Sequence, residues 1–235
     1  MKDNIKDLIQ IDSREVLRYM QYKNQNIDKN LSDEINYCIR KTKEIINPRF
    51  ICRKYKIKKS VFYNKKNETY LEQSNLTLKS NDLYDLLIDC DECIIMSVTL
   101  GIEIEREIRK LTYTDLTKGI IIDACATTSV EEVCDILQDN IAQRLLKEGK
   151  YITYRYSPGY GDLSIERNLD INNLLNGQKE IGLTVTNSGI MIPRKSVIAL
   201  IGVSNKDISS TKKPCANCNN RDNCDYKKEG YSCGN

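Results

Sequence analysis

The chain has 235 residues and a formal net charge of only +3, because 36 Lys and Arg face 33 Asp and Glu. A chain of this length can bury a sizeable core. The near balance of charge points to neither a nucleic-acid nor a membrane partner. The sequence contains no histidine, which excludes Ser–His–Asp catalysis, Cys–His catalysis and the two-histidine zinc finger.

The N-terminus has acidic residues where a signal peptide would have an apolar run, and no segment has the length and apolarity of a membrane span. We therefore expect a cytoplasmic protein with no membrane partner. In that compartment cysteines are reduced thiols or metal ligands, so we expect no disulfide framework.

The first half of the chain predicts alternating helices and strands. A short helix begins at Asp12 or Ser13, and a second begins with Ser32 as its N-cap and ends before Pro48. Residues 49–78 are rich in β-branched and aromatic residues with polar alternation, which predicts two or three strands. The stretch "DLYDLLID" predicts a helix and "CIIMSVTLG" predicts a strand.

The second half continues this pattern. Residues 115–149 predict the longest helix, broken near "ATTS", where Ser129 and Glu132 fit a capping box. Then follow the strand "YITYRY", a turn, a helix around "IERNLDINNLL" and the strands "IGLTVTNS" and "KSVIALIGV". The pattern is typical of an α+β protein.

Residues 53–66 hold seven basic residues and no acidic one, interleaved with aromatic residues. Lysines commonly protect exposed sheet edges, so we predict a solvated edge hairpin. Docking of an acidic partner is the second interpretation. Nucleic-acid binding is the third, because a basic face with stacking aromatics could support it.

The ten cysteines fall into two groups. Six are expected to be small buried hydrophobic residues, including the C-x-x-C pair Cys90 and Cys93, for which a redox role is disfavoured. The other four crowd the end of the chain, where the composition becomes polar. We place a domain boundary there, which separates residues 1–209 from a cysteine-rich tail, residues 210–235.

The tail cysteines are Cys215, Cys218, Cys224 and Cys233, with the spacing C-x2-C-x5-C-x8-C. Four thiolates so close in sequence can hold an iron–sulfur cluster or zinc, and unmetallated thiols are the third possibility.

The stretch "YITYRYSPGYGDLS" places several specialised residues in one turn. Pro158 fixes its backbone φ, and Gly159 adopts positive φ or admits a ligand close to the backbone. Arg155 supplies a fork of donors suited to a carboxylate, and Tyr160 supplies a flat ring with a polar tip. The turn could therefore grip a small ligand, or be a plain structural turn.

Four stretches resemble a known family: "RYSPGYGDLSIE", "IGLTVTNSGIMIPRKSVIALIG", "SVTLG" and "DACATTSVEEVCD". They are similar to the activation (reactivation) domain of vitamin B12-dependent methionine synthase, and more closely to free-standing proteins of that family. The resemblance covers about residues 11–203. It implies a twisted antiparallel sheet flanked by helices, which binds S-adenosylmethionine and docks against a cobalamin domain.

The resemblance also implies ligand contacts in the turn. Arg155 matches the arginine that binds the methionine carboxylate. Ser157 and Gly159 match positions whose backbone lines the ligand, and Tyr160 matches the tyrosine beside it.

Two further residues match the family's site. Asp12 resembles an early aspartate that faces the ligand's amino group, and Glu131 resembles a helix glutamate of the same site, with Glu132 as the alternative if the register shifts by one. One residue departs from the pattern, because Asn187 replaces the glutamate of the usual T-E-S element.

The function that the resemblance implies is reductive reactivation, in which one electron and the methyl group of S-adenosylmethionine restore methylcobalamin from cob(II)alamin. The cobalamin would be carried by a partner chain, either methionine synthase or a related corrinoid protein, and this chain would be an accessory part that is inactive alone. The electron would come from a donor such as flavodoxin or ferredoxin, or enter through a cluster in the tail. The alternative is a four-cysteine metal-containing module that binds RNA or another protein.

Overall fold

A six-stranded antiparallel sheet organises the part of the chain that the computed structural model describes, residues 5–22, 27–62 and 66–208. The strands in chain order are β1 Arg49–Ser60, β2 Glu68–Leu71, β3 Thr77–Lys79, β4 Glu92–Thr99, β5 Tyr151–Ile152, β6 Thr184–Val185, β7 Met191–Ile192 and β8 Ser196–Ser204. The main sheet has the order β3-β2-β1-β4-β8-β5, and β6 and β7 form a separate hairpin.

Helices account for most of the remaining described structure. They are α1 Ile5–Leu8, α2 Ser13–Tyr19, α3 Lys29–Ile45, α4 Asn81–Leu86, α5 Ile102–Thr114, α6 Leu116–Leu146, α7 Arg167–Leu175 and α8 Gly177–Ile181. None of these helices has the length and apolarity that crossing a membrane requires. The amphipathic helix α5 was not predicted from the sequence.

The central strands β4 and β8 are covered on both faces. Met96 and Val98 point into a core that also contains residues of α2, α3 and α6, whereas Ile95 points into a second core with residues of α4, α7 and α8. This separation follows from the alternation of side chains along a strand. The predicted α+β architecture, with helices flanking an antiparallel sheet, is confirmed.

The long helix α6 is continuous, so the break predicted near "ATTS" is wrong. The hydroxyls of Thr127, Thr128 and Ser129 donate to the carbonyl oxygens four residues earlier, over 2.9, 3.1 and 2.7 Å. These bonds satisfy the hydroxyls without interrupting the helix. Ser129 is fully buried within α6, so the predicted capping box with Glu132 is also wrong.

The N-caps of the first two predicted helices had different outcomes. The prediction for α2 is confirmed, because Asp12 caps it by accepting a hydrogen bond from the Arg14 N–H over 2.8 Å. The prediction for α3 is wrong, because Asp28 caps that helix by accepting from the Leu31 N–H over 2.7 Å. Ser32 lies inside the helix.

The basic strand β1 lies inside the sheet, between β2 and β4, so the prediction of an edge hairpin is wrong. Two of its lysines pair with acidic residues of the chain itself, Lys54 with Glu92 over 2.9 Å and Lys58 with Glu72 over 3.0 Å. The Lys59 ammonium donates to three carbonyl oxygens at the end of α4 and in the loop that follows. In the described part of this segment, these three lysines therefore form ion pairs or hydrogen bonds with other groups of the chain.

Five of the six cysteines outside the tail are buried, as predicted: Cys38, Cys90, Cys93, Cys125 and Cys134. Burial raises the pKa of the Cys90 thiol to about 11 and that of Cys93 to about 12, which agrees with a structural rather than a redox role. Cys52 is exposed on β1, so its predicted burial is wrong. The domain boundary after residue 209 and the four tail cysteines lie outside the described residues.

Candidate ligand site around Arg155

Arg155 is held between the sheet and the long helix α6. Its neighbour Tyr156 exchanges two backbone hydrogen bonds with Leu200 of β8, over 2.9 and 2.8 Å. This bridge continues the pairing of β5 with β8 and fixes the backbone beside Arg155. The predicted strand "YITYRY" is therefore shorter than expected, since regular pairing ends at Ile152.

The guanidinium of Arg155 contacts three acceptors on one face of α6. Its Nη1 atom donates to Asp135 Oδ1 over 2.7 Å and to Gln138 Oε1 over 3.4 Å, and its Nη2 atom donates to Glu131 Oε2 over 3.3 Å. Residues four and seven positions apart share a helix face, which explains why these three side chains converge. The structure thus places Glu131 against Arg155, and adds Asp135, which the sequence analysis missed.

Burial dominates the electrostatics of this cluster. It raises the pKa of Glu131 and that of Asp135 above their usual values, although the positive charge of Arg155 opposes the rise in both. The Arg155 side chain is only 14% exposed, whereas those of Glu131 and Asp135 are 44% and 39% exposed. The two carboxylates therefore form the outer part of the cluster and the guanidinium its inner part.

The turn after Arg155 is closed by its own backbone. The Gly159 N–H donates to the Leu163 carbonyl over 2.8 Å, and the Tyr160 N–H donates to the Ser157 carbonyl over 3.1 Å. Gly159 has a φ of +97°, a conformation that favours glycine. Tyr160 is 64% exposed, and its ring lies 6.5 Å from that of Tyr156.

Asp162 fastens this turn to the N-terminus of α4, a role that the sequence analysis missed. Its carboxylate accepts hydrogen bonds from the Ser80 hydroxyl, from the Asn81 N–H over 2.9 Å and from the Asp82 N–H over 3.3 Å. Asp82 in turn accepts from the Asp162 N–H over 3.1 Å. The sequence Ser80–Asn81–Asp82 is typical of a helix N-terminus. No local pattern, however, indicated that Asp162 accepts its hydrogen bonds.

The second family-like element lies against the same region. The Gly189 carbonyl accepts a hydrogen bond from Asn168 Nδ2 over 3.1 Å, and the Gly189 backbone packs directly on the Ile165 carbonyl. Within this hairpin loop, the hydroxyls of Thr186 and Ser188 are 2.9 Å apart. The two motifs that carried the resemblance, about 30 residues apart in sequence, are therefore neighbours in space.

Asp12 is the N-cap of α2, a helix that packs against α6. Its carboxylate forms an ion pair with Arg14 over 2.9 Å. In residues 5–22, 27–62 and 66–208 no ion pair joins Asp12 to Arg155. Glu132 faces the chain before α2, where it interacts with the Gln10 N–H, so Glu131 is the member of this pair that reaches Arg155.

The structure does not test the metal prediction. Within the three described ranges, no three His, Cys, Asp or Glu side chains are arranged to hold a metal ion. The predicted ligands Cys215, Cys218, Cys224 and Cys233 lie beyond those ranges.

Comparisons with known proteins identify the family. Residues 89–228 match the family model of the vitamin B12 dependent methionine synthase, activation domain. No curated protein matches the chain. Among solved structures, the chain is similar to the crystal structure of the MetH reactivation domain bound to AdoHcy, with 15% identity and a TM-score of 0.56, over 86% of this chain and 72% of that one. At this identity the likeness supports the fold alone. The family model covers more than half of the chain, so the chain belongs to the family of the vitamin B12-dependent methionine synthase activation domain.

Proposed function

We propose that this chain is an S-adenosylmethionine-binding reactivation protein for a cobalamin-dependent methyltransferase, methionine synthase or a related corrinoid protein. The observation that carries the proposal is the Arg155 cluster, in which a guanidinium and two carboxylates lie together beside the glycine turn of the matched family segment. The similar solved structure holds AdoHcy, which has the same adenosine and amino-acid parts as S-adenosylmethionine.

The cluster suits the amino-acid end of such a ligand. The Arg155 guanidinium is complementary to a carboxylate, and Glu131 and Asp135 are complementary to an ammonium. The ligand's carboxylate would compete with Asp135 for the guanidinium, and the displaced carboxylate would become free to accept from the ammonium. The backbone of Ser157 and Gly159 would line the ligand.

Two other predicted site residues have separate roles in the proposal. The exposed ring of Tyr160 offers a flat apolar face to the adenosine part or to the partner chain. Asp12, with its Arg14 partner, would face the ligand from α2. Asn187 keeps a hydrogen-bonding side chain but carries no charge where the family has glutamate.

The reaction requires a cobalamin-carrying partner and a one-electron reductant such as flavodoxin or ferredoxin. The partner's cobalamin would receive one electron and the methyl group of S-adenosylmethionine, and the electron pair of the broken C–S bond would stay on sulfur. The residues of this chain would bind and orient the methyl donor, and the cofactor would supply the chemistry. The chain would therefore be an accessory part with no activity of its own.

We further propose that the cysteine-rich tail, residues 210–235, holds a metal site. Four cysteine thiolates can hold an iron–sulfur cluster or zinc, and a cluster could pass the required electron, whereas zinc is redox-inactive. The alternative of an RNA-binding module has less support, because the lysines Lys54, Lys58 and Lys59 of the basic strand are engaged within the fold.

A reconstituted methyl transfer tests the proposal. The full chain, purified without oxygen, is mixed with the cobalamin-binding part of methionine synthase, S-adenosylmethionine with a labelled methyl group, and a chemical one-electron reductant. We expect labelled methylcobalamin only when this chain is present, and much less with Arg155→Ala than with the surface control Arg106→Ala. Equal methylation with and without the chain would contradict the proposal.

A further inference from the structure

The Arg155 cluster carries more negative than positive charge. One guanidinium faces the two carboxylates of Glu131 and Asp135, which leaves a formal charge of −1. The neighbouring charges on α2 cancel in pairs: Arg14 with Asp12, and Arg18 with Glu15. A ligand that carries a net positive charge would therefore be favoured over a neutral ligand of the same shape.

Asp135 gives the cluster its net negative charge. Either carboxylate alone would neutralise Arg155, and Glu131 is the one that matches the family's site, so Asp135 is the additional negative charge. Asp139, from the next turn of α6, adds to the negative potential at Asp135. Arg155 lies beneath both carboxylates and is only 14% exposed, so a ligand would meet the carboxylates first.

The methyl donor S-adenosylmethionine and its product S-adenosylhomocysteine differ in net charge. S-adenosylmethionine has a carboxylate, an ammonium and a sulfonium, and so has one net positive charge. S-adenosylhomocysteine has lost the sulfonium charge along with the methyl group, and has no net charge. The adenosine and amino-acid contacts are available to both molecules, so contacts to those parts alone cannot separate them.

We propose that Asp135 is a specificity-determining residue that makes the site prefer the cationic methyl donor over its neutral product. This inference rests on the proposed function, because it assigns the choice of ligand at the same site. When the methyl group is transferred, the electron pair of the C–S bond remains on sulfur and the positive charge disappears. The product then loses its attraction to the excess carboxylate, which favours its release.

Calorimetric titration of the full chain tests this assignment. S-adenosylmethionine and S-adenosylhomocysteine are titrated into the wild type, into Asp135→Asn and into Glu148→Gln. Glu148 is the control, because it is an exposed acidic residue beyond the C-terminal end of α6. We expect the preference for S-adenosylmethionine to fall about tenfold in Asp135→Asn and to change less than about twofold in Glu148→Gln. An unchanged preference in Asp135→Asn would overturn the inference.

A third ligand tests the charge without any substitution. Sinefungin replaces the sulfonium and its methyl group by a carbon that bears an ammonium, so it is cationic but is not a sulfonium. We expect the wild type to bind it more tightly than S-adenosylhomocysteine. Equal binding of the two would overturn the inference while leaving the proposed function intact. If the wild type bound none of the three ligands, the proposed function itself would fail, and the inference with it.

Discussion

Asp162 accepts a hydrogen bond from the backbone N–H of Asn81 over 2.9 Å and so fastens the turn after Arg155 to the first turn of α4. The Ser80 hydroxyl and the Asp82 N–H donate to the same carboxylate, and Lys66 lies 3.7 Å away. The geometry of the candidate site therefore depends on a side chain that is not expected to touch the ligand.

We expect Asp162→Ala to destabilise the protein by about 1 to 3 kcal/mol, because it leaves helix N–H groups without their acceptor. Burial works to raise the pKa of Asp162, but these hydrogen bonds outweigh it and hold that pKa below its usual value. The stability from this carboxylate is then present above its unfolded-state pKa and lost as the pH falls through the lowered pKa. Urea unfolding at neutral and acid pH measures both effects. An Asp162→Ala protein as stable as the wild type at neutral pH would contradict the anchoring role.

Gly189 provides a second structural test with a matched control. It has a φ of +80°, and a Cβ atom there would overlap the Ile165 carbonyl. Gly149 has a similar φ of +71°, but nothing lies within 4 Å of a Cβ at that position. We expect Gly149→Ala to cost about 1 to 2 kcal/mol from backbone conformation alone, and Gly189→Ala to cost more because the hairpin must also move. Thermal or urea unfolding compares the two, and equal losses would show that the hairpin does not pack closely on Ile165.

The binding of S-adenosylmethionine should weaken as the pH falls from neutral. Burial raises the pKa of Glu131 and of Asp135, so both carboxyls take up protons at a higher pH than ordinary carboxyls do. A protonated carboxyl no longer attracts a cation, and the loss should begin above the usual carboxyl pKa of about 4. The Arg155 guanidinium stays charged throughout this range. Titrations between about pH 7.5 and pH 4.5 measure the change. An affinity that stays constant or rises on acidification would contradict this prediction.

The tail cysteines should bind metal independently of the Arg155 site. We expect the full chain, purified without oxygen, to contain iron with acid-labile sulfide, or zinc, and the double variant Cys215→Ser, Cys218→Ser to lose it. The paired variant Cys38→Ser, Cys125→Ser changes two buried cysteines of the core and should retain the metal if it folds. Zinc alone would contradict a role of the tail in electron transfer, and no metal would contradict the metal site.

Local sequence patterns predicted the elements better than their arrangement. The strands β1 to β4 follow from β-branched and aromatic runs, and the N-cap Asp12 follows from side-chain chemistry. The break at Thr127 to Ser129 was predicted wrongly because hydroxyl residues favour helix ends, whereas their bonds to carbonyls inside α6 let the helix continue. The position of β1 depends on long-range pairing, which its lysine-rich composition did not indicate.

In the candidate site, too, local sequence patterns indicated some residues, whereas residues placed by long-range contacts were missed. Arg155 and Tyr160 stand out in the sequence because of their turn, and the resemblance added Glu131. Asp135 could have been found as the residue one helical turn after Glu131, because both lie on the helix that the sequence predicts after Ser129. Asp162 could not have been found, because its hydrogen-bond donors lie about 80 residues away in the sequence.

The proposed function depends on the binding of S-adenosylmethionine by Arg155. Calorimetric titration of this ligand into the wild type, Arg155→Ala and the surface control Arg106→Ala, all purified without oxygen, tests it most directly. We expect saturable binding to the wild type and to Arg106→Ala, and a loss of at least about tenfold for Arg155→Ala, with folding of each variant checked by circular dichroism. Wild-type affinity in a folded Arg155→Ala protein would contradict the claim.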